Sequence, residues 1–538
     1  MKKKTVTPVV FVTGIGQTWS YLSGGDGYIW NLFPSRKDIM FKEFTAGDYA
    51  VLSKTVAKCF LKLKSNKVKI NESELSSIIS KLFYCCRVDD YGRLPFDVTN
   101  IICGPKSFDV LRKTDLLTGE ECSDFEKSVL YRLYRDIPCK SLAGRIGEEN
   151  MYCFNYTPFS DIYEDADNLR EMLKAVIEDQ KNKTGCKRVT LVPMSMGGSI
   201  VSAYIDKYYS DESGAVGEDY IEKIISIVGA WDGSDGLSDL ITFNVDDSFI
   251  EKLPVLAGDK GAEFLKKFPE NNVKSLFGVL FDTFVKTIIL RNSAFTALVP
   301  KDRYDEVCEN LFEGSDDVRL NEVRRVSQIY NNAQNNLIIR LKTLENKCKI
   351  NTYFICGYNK FFGEDSRDFS FLSLFANSEK TNSDSVIQIS STAPGVKWVK
   401  RGEKFDTDEE KYISPDKSID ASESPFRDRI WFFENQYHEL GPNNTSIALA
   451  TDIALGEVKD INGKYPQFNR SRDVGGAEEL IEKSKRVCDE YSIPAKKKES
   501  IAEAVGKVEK MLGCVFNDPG KDRETVEELK KELDSILQ

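Results

Sequence analysis

Residues 188–199, RVTLVPMSMGGS, constrain the fold of this chain more than any other stretch. Val189–Val192 is a short apolar run, closed off by Lys187 and Arg188 on one side and by Pro193 on the other. A β-branched run of that length, flanked by charge, reads as a strand buried on both faces of a parallel sheet. Gly197 and Gly198 follow, and then Ile200, Val201, Tyr204, Ile205 and Tyr208 recur at helical spacing. Ser195 therefore falls on a strand-to-helix turn with a small residue two places later, as a nucleophile elbow requires. Pro193 stands where the elbow usually has its first glycine. Glycine there relieves crowding between strand and helix, whereas the fixed φ of proline suits the end of a strand, so a strained turn is expected. A glycine-rich loop without chemistry is the competing reading of Ser195–Gly198 taken alone.

The rest of the chain supplies strands for the same sheet. Val9–Val12 is an apolar run that breaks at Gly14 and Gly16. A dinucleotide-binding fingerprint competes here, but its third glycine would fall at Trp19 and no helical pattern follows directly. A loop offering a backbone amide, that of Ile15, to an oxyanion shared with the amide of Met196 is the better reading. Residues 20 to about 148 form a long insertion, with a helical pair around Tyr49–Leu63 and Glu72–Cys85 and a turn-rich patch at Asp89–Pro95. Met151–Asn155 is the next strand. A helix with Ile162, Ala166, Leu169, Leu173, Val176 and Ile177 on one face leads from it into the serine strand, a doubly wound βαβ arrangement.

Beyond the elbow, Ile224–Val228 is a further strand, and residues 233 to about 347 turn helical. The run Leu276–Leu290 carries Asp282 and Lys286 and is too short to span a bilayer. It reads as a core helix of a cap, or as a lid whose apolar inner face lines an acyl pocket. The sheet resumes at Asn351–Gly357 and closes with Trp431–His438, before a helix from about Asn444 to Leu455. Ala477–Glu490, Glu499–Leu512 and Glu524–Leu537 are charged helices rich in i,i+4 pairs, with no chemistry to name.

Composition narrows the function. The chain has 74 basic and 85 acidic residues, a net charge of -11, which argues against nucleic acid as the partner. Thirteen cysteines without C-x-x-C pairing read as buried thiols in a reducing compartment. The lysines of Met1–Lys4 resemble the head of a signal peptide, but Val9–Val12 is far too short for its apolar core. No segment reaches the roughly 20 apolar residues of a spanning helix, so a soluble, cytoplasmic protein is expected. The chain has one histidine, His438, which removes most zinc-hydrolase readings, and neither a metal nor another cofactor is called for. If Ser195 is a nucleophile, His438 is the one side chain with a pKa near neutral able to act as its base. The third member should be a buried carboxylate: Asp384, in a turn-rich loop after the Tyr353–Cys356 strand, with Asp232 and Asp235 as competitors. With Asp384 the chain order is serine, acid, histidine, the order of α/β-hydrolases.

In these residues the chain resembles the α/β-hydrolase superfamily. It looks most like the lipase branch of lecithin:cholesterol acyltransferase and phospholipid:diacylglycerol acyltransferase. The likeness rests on residues 8–16 (PVVFVTGIG), 195–198 (SMGG), 382–387 (NSDSVI), 436–438 (QYH) and 293–300 (SAFTALVP). Departures are Pro193 in the elbow, Thr13 before Gly14, and Gln388 after the acid loop. The resemblance covers about half the chain and implies an α/β-hydrolase fold, a mostly parallel doubly wound sheet with a helical cap insertion, expected over residues 1–460. It leaves unexplained the insertion over 20–148 and the tail, which its own charged helical pattern reads as a C-terminal helical extension over 461–538. It implies Ser195 as nucleophile, Asp384 as acid, His438 as base, and the Ile15 and Met196 amides as oxyanion donors. The expected activity is hydrolysis of carboxylic esters of lipid or other apolar acyl substrates through an acyl-enzyme, with transient contact between the cap and a lipid surface. Acyl transfer to an alcohol by the same triad, or an inactive binding protein on this fold, are the alternatives.

Overall fold

Alternation along the apolar strands divides the core in two. In β1 (Val9–Val12), Val10 and Val12 join one buried cluster while Val9 and Phe11 join another on the opposite face. The same division runs through β2 (Met151–Phe154), β3 (Val189–Pro193), β4 (Ile221–Ile227), β5 (Asn351–Tyr358) and β6 (Ile430–Glu434). A strand covered on both sides has no need of polar alternation, which is why apolar residues on both faces dominate these runs, with Glu222 and Lys223 confined to the start of β4. The computed structural model describes residues 7–17, 20–22, 28–29, 40–41, 43–95, 98–100, 104–116, 118–137, 139–209, 220–242, 260–312, 316–362, 381–400, 402–407, 411–438, 445–470, 477–490, 493–512 and 519–537. Met1–Lys4, Trp19 and Asn444, which figure in the sequence reading, lie outside them.

With β7 (Phe468–Arg470), the strands form one seven-stranded sheet in the order β7-β6-β5-β4-β3-β1-β2, and every neighbouring pair is parallel. The sequence reading closed the sheet at Trp431–His438. The added edge strand is three residues long, and Phe468 stacks on Phe432 with ring centroids 5.1 Å apart. From β1 the chain steps outward to β2, then returns to β3 on the other side of β1 and proceeds the opposite way. The switch point lies between β1 and β3, and ligands of open α/β sheets bind in the crevice at the carboxyl ends of such strands. This is an α/β fold, a doubly wound parallel sheet covered by helices on both faces.

The insertion after β1 carries α1 (Ala46–Lys64) and α2 (Glu72–Leu82), started by a Thr45–Asp48 capping box and by the Asn71 side chain. It also contains a three-stranded antiparallel sheet of Ser20–Leu22, Tyr28–Ile29 and Val98–Asn100, which hydrophobic pattern did not announce. Later in the insertion, α3 (Val129–Asp136) and α4 (Lys140–Ile146) cover one face of the sheet. On the other face lie α5 (Ile162–Lys183), capped by Asp161, and α6 (Gly197–Tyr209), which leaves the elbow. The cap helices α7 (Glu270–Phe284) and α8 (Val318–Asn335) extend that face, and α7 packs against α1 and α2. The apolar run that the sequence reads as Leu276–Leu290 is the second half of α7 followed by a π-helical turn, Val285–Ile289. α9 (Thr445–Ala454) returns to the α3–α4 face. Among the described residues no helix is long and apolar enough to cross a membrane.

The last three helices, α10 (Ala477–Glu490), α11 (Ala495–Leu512) and α12 (Pro519–Leu537), bury a core of their own. Ile481, Ile501, Val505, Val508, Val526 and Leu529 form a cluster separate from the two sheet cores. A charge placed there should unfold this unit and leave the sheet intact. Val508→Asp is expected to remove part of the far-UV helical signal in an early thermal transition while the main transition stays at its wild-type temperature. A single shared transition, shifted as a whole, would show that the helices fold with the body.

Candidate active site

Ser195 has φ 50°, in the left-handed region that a side chain adopts at a cost of about 1–2 kcal/mol. Hydrogen bonds on every side hold it there. The Met194 N–H donates to Val12 O (3.0 Å), the Gly198 N–H to Ser195 O (2.9 Å), and the Ala230 N–H to the same carbonyl (2.8 Å). The Ser199 hydroxyl donates to Ala230 O at 2.6 Å, strapping the start of α6 to the loop after β4. The two glycines after the elbow are required by space. A Cβ on Gly197 would come within 2.2 Å of Val12 O, and one on Gly198 within 2.8 Å of Ala230 N.

Each departure from the usual motifs has a local job. In β3 the Val189 N–H faces β4 (to Tyr220 O, 2.8 Å), while the Thr190 and Met194 N–H groups face β1. The missing donor of Pro193 therefore falls on the β4 side, where pairing stops after Leu191–Ile224 and resumes at an isolated Met194–Ile227 bridge. The Thr13 hydroxyl donates to Phe154 O (3.2 Å) and Thr13 O accepts from the Tyr156 hydroxyl (3.0 Å), tying the end of β1 to the loop after β2. Gln388 Oε1 accepts the Asp235 N–H at 3.0 Å, joining the acid loop to the loop after β4.

The loop after β1 lies against the serine. A Cβ on Gly14 would be 2.6 Å from the Ser195 Cβ and 3.2 Å from its Oγ, so only glycine permits the approach. Gln17, which the sequence reading did not single out, fixes this loop. Its Oε1 accepts the Gly14 N–H (2.9 Å) and its Nε2 donates to Asp136 O (2.7 Å). Ile15 opens the 3-10 turn Ile15–Gln17 beside this contact. Among the described residues no acceptor takes the Met196 N–H. A buried backbone donor without an acceptor is a candidate for an oxygen of a bound ligand.

Asp384 and His438 reach Ser195 from two further loops. Asp384 Oδ1 accepts the N–H groups of Val386 (3.0 Å) and Ile387 (2.8 Å), which fixes the carboxylate plane. Its Oδ2 is 2.9 Å from His438 Nδ1, and His438 Nε2 is 2.8 Å from Ser195 Oγ. With Nδ1–H donating to the carboxylate, the Nε2 lone pair is left to accept the Ser195 hydroxyl proton. All three side chains are buried, so little water competes for these bonds. Gly357, at the end of β5, lets the two loops cross. A Cβ there would meet Gln436 O at 2.7 Å and the Asp384 Cβ at 2.9 Å.

The competing carboxylates lie elsewhere. Asp232 Oδ1 accepts the Lys301 N–H (2.9 Å), and its Oδ2 pairs with Lys301 Nζ (2.5 Å), which ties the loop after β4 to the cap. Burial raises the Asp232 pKa, and Lys301 opposes the rise. The Asp235 carboxylate has no hydrogen-bond partner among the described residues, and burial pushes its pKa up to about 6.

No family model matches the chain, and no curated protein matches it. Among solved structures it is similar to the crystal structure of the Tle4-Tli4 complex, at 12% identity and a TM-score of 0.29, covering 66% of this chain and 75% of that one. At such a TM-score the fold rests on the sheet order and its switch point.

Asp235 generates a stability prediction. Its folded-state pKa of about 6 lies above the ordinary 3.8, so the folded chain holds a proton that the unfolded chain releases. The contribution of Asp235 to stability is then highest at acid pH, falls as pH rises through 4 to 6, and stays lowered above it. Asp235→Asn should raise stability at pH 8 by on the order of 1–2 kcal/mol and converge on wild type near pH 4, read by urea unfolding at both pH values.

Proposed function

We propose that this protein is a serine hydrolase that cleaves carboxylic esters of apolar acyl substrates through an acyl-enzyme. The observation that carries the reading is the hydrogen-bonded series Ser195–His438–Asp384, at 2.8 and 2.9 Å, at the carboxyl end of a parallel sheet. His438 takes the Ser195 proton as Oγ attacks the ester carbonyl, and the Asp384 carboxylate stabilises the imidazolium that forms. The tetrahedral oxyanion turns toward the Met196 amide, whose N–H has no acceptor among the described residues, and Ile15, on the loop against Ser195, is the second amide expected to serve it. Protonated His438 then returns its proton to the departing alkoxide. Water, activated by the same imidazole, attacks the acyl carbon and releases the acid and free Ser195.

Ser195→Ala and His438→Ala should each lower turnover of a short-chain aryl ester by about 1000-fold or more, with folding unchanged by circular dichroism. A fluorophosphonate should label wild type at Ser195 and leave Ser195→Ala unlabelled. Wild-type turnover in Ser195→Ala would end this reading.

The lipid character of the substrate is supported by the outer surface. The exposed face of α1 carries Tyr49 (47% exposed), Val56 (45%), Phe60 (47%) and Leu61 (53%) at helical spacing, with Ala50 and Ala57 exposed between them and Ser53 and Lys54 interrupting the stripe. Phe264 (42%) packs edge-on against Phe60, centroids 6.2 Å apart, and carries the patch into the cap segment. Lys64, Lys67 and Lys69 after α1 and Lys260, Lys266 and Lys267 flanking Phe264 are exposed and outnumber the exposed Glu72, Glu263 and Glu270 of the same segments, a local basic surplus in a chain of net charge -11. Exposed apolar side chains beside a net basic surface fit an anionic lipid surface. Both segments are inserted after carboxyl ends of strands, β1 and β4, the end at which Ser195 lies.

Flotation with vesicles of phosphatidylcholine plus about one-third phosphatidylglycerol tests this surface. Wild type should float, less so at high salt, and Val56→Glu/Phe60→Glu should lose about ten-fold in affinity while keeping turnover of a soluble ester. Equal flotation of the two proteins, or a wild type that does not float but self-associates through this face, would remove lipid as its partner.

A further inference from the structure

Lys360 is a charged side chain at 5% exposure, close to the candidate site and outside the three residues already discussed. Burying an ammonium is costly unless the protein gives it partners. Its backbone is held to the residue before the acid: Lys360 N–H donates to Ser383 O (2.9 Å), and Lys360 O accepts from the Ser383 N–H (3.3 Å) and hydroxyl (2.8 Å). Its side chain runs to the residue before the histidine. Nζ donates to the Tyr437 hydroxyl at 2.8 Å and lies 3.9 Å from the centroid of that ring. One residue therefore joins the neighbour of Asp384 to the neighbour of His438.

The three members of the series differ in what else holds them. Ser195 is fixed by the elbow, and Asp384 by its own two backbone donors. His438 lies four residues past the end of β6, in a stretch without regular structure that starts with Asn435 at φ 61°. Gln436 is tied on one side through the Ser446 hydroxyl, and Tyr437 on the other through Lys360. An imidazole must satisfy two directional bonds at once, and these two ties brace the backbone that leads into it.

We propose that Lys360 is a positioning residue for His438: through Tyr437 it sets the imidazole so that Nδ1 meets Asp384 while Nε2 meets Ser195. The inference rests on the serine hydrolase reading for its consequence in turnover, but its structural content is separable, because His438 is the only histidine in the chain. Protein labelled with 15N-histidine gives one pair of ring-nitrogen signals, and these report the tautomer without any turnover.

Wild type should show a protonated Nδ1 and an unprotonated Nε2 at pH 8. Lys360→Met should move both signals toward the average of two tautomers and lower kcat by about 10- to 100-fold with KM within two-fold, since a displacement near 1 Å can cost about 100-fold. Lys360→Arg, which keeps a donor and a cation, should restore both readouts, and Tyr437→Phe, which keeps the ring and loses the hydroxyl, should fall between. If Lys360→Met lowers only the melting temperature, with ring signals and kcat as in wild type, Lys360 is a fold residue and the proposal is wrong. If Lys360→Met does not fold, Tyr437→Phe takes its place: wild-type ring signals there overturn the proposal, and shifted ones support it. Should wild type have no Ser195-dependent turnover, the hydrolase reading falls by itself and the ring signals still decide the role of Lys360.

Discussion

Parallel pairing of β1 with β3 is the contact on which the rest of this structure depends. Register places Val12 opposite Pro193, so the two strands end together and their following loops leave side by side. Gly14 then lies against Ser195 closely enough that a single added carbon would collide. Because the chain departs in opposite directions from these neighbours, no crossover covers their carboxyl ends. The crevice is a consequence of winding order, and the elbow occupies it.

Holding the elbow in the left-handed region takes bonds from elements that do not touch the reacting groups. Val12 O receives Met194, the loop after β4 supplies the Ala230 N–H, and Ser199 fixes that loop in return. The loop after β4 also reaches the acid loop: Ser234 donates to Val386 O at 2.6 Å, and the Asp232 N–H donates to Ser391 Oγ at 2.9 Å. Strain at one serine is distributed over three strand ends. The proposed nucleophile, acid and base thus share one framework, which keeps distances of 2.8 and 2.9 Å compatible with each other.

Much of the fold was legible because apolar runs are long enough to be seen. Val9–Val12, Val189–Val192 and Asn351–Gly357 each read as buried strands, and each is one. Phe468–Arg470 was not legible: it is three residues long with a single apolar member, and only its place beside Phe432 makes it a strand. The small antiparallel sheet of the insertion is short for the same reason. At the site, residue type was the signal. A lone histidine and a serine before two glycines can be found by reading, whereas Gln17 and Lys360 act through contacts 119 and 77 residues away in sequence. Nothing in their local sequence announces them.

The sequence by itself determined the class of the sheet, the position of the elbow and the short list of groups able to do acid–base chemistry, because these follow from local periodicity and from side-chain type. It left Asp384, Asp232 and Asp235 all eligible as the partner of His438. Only the tertiary structure separated them, by engaging Asp232 with Lys301, leaving the Asp235 carboxylate without a hydrogen bond among the described residues and bringing Asp384 to 2.9 Å from the imidazole. A hydrogen bond depends on angles and tenths of an ångström between strand ends, and the packing of the strands sets those.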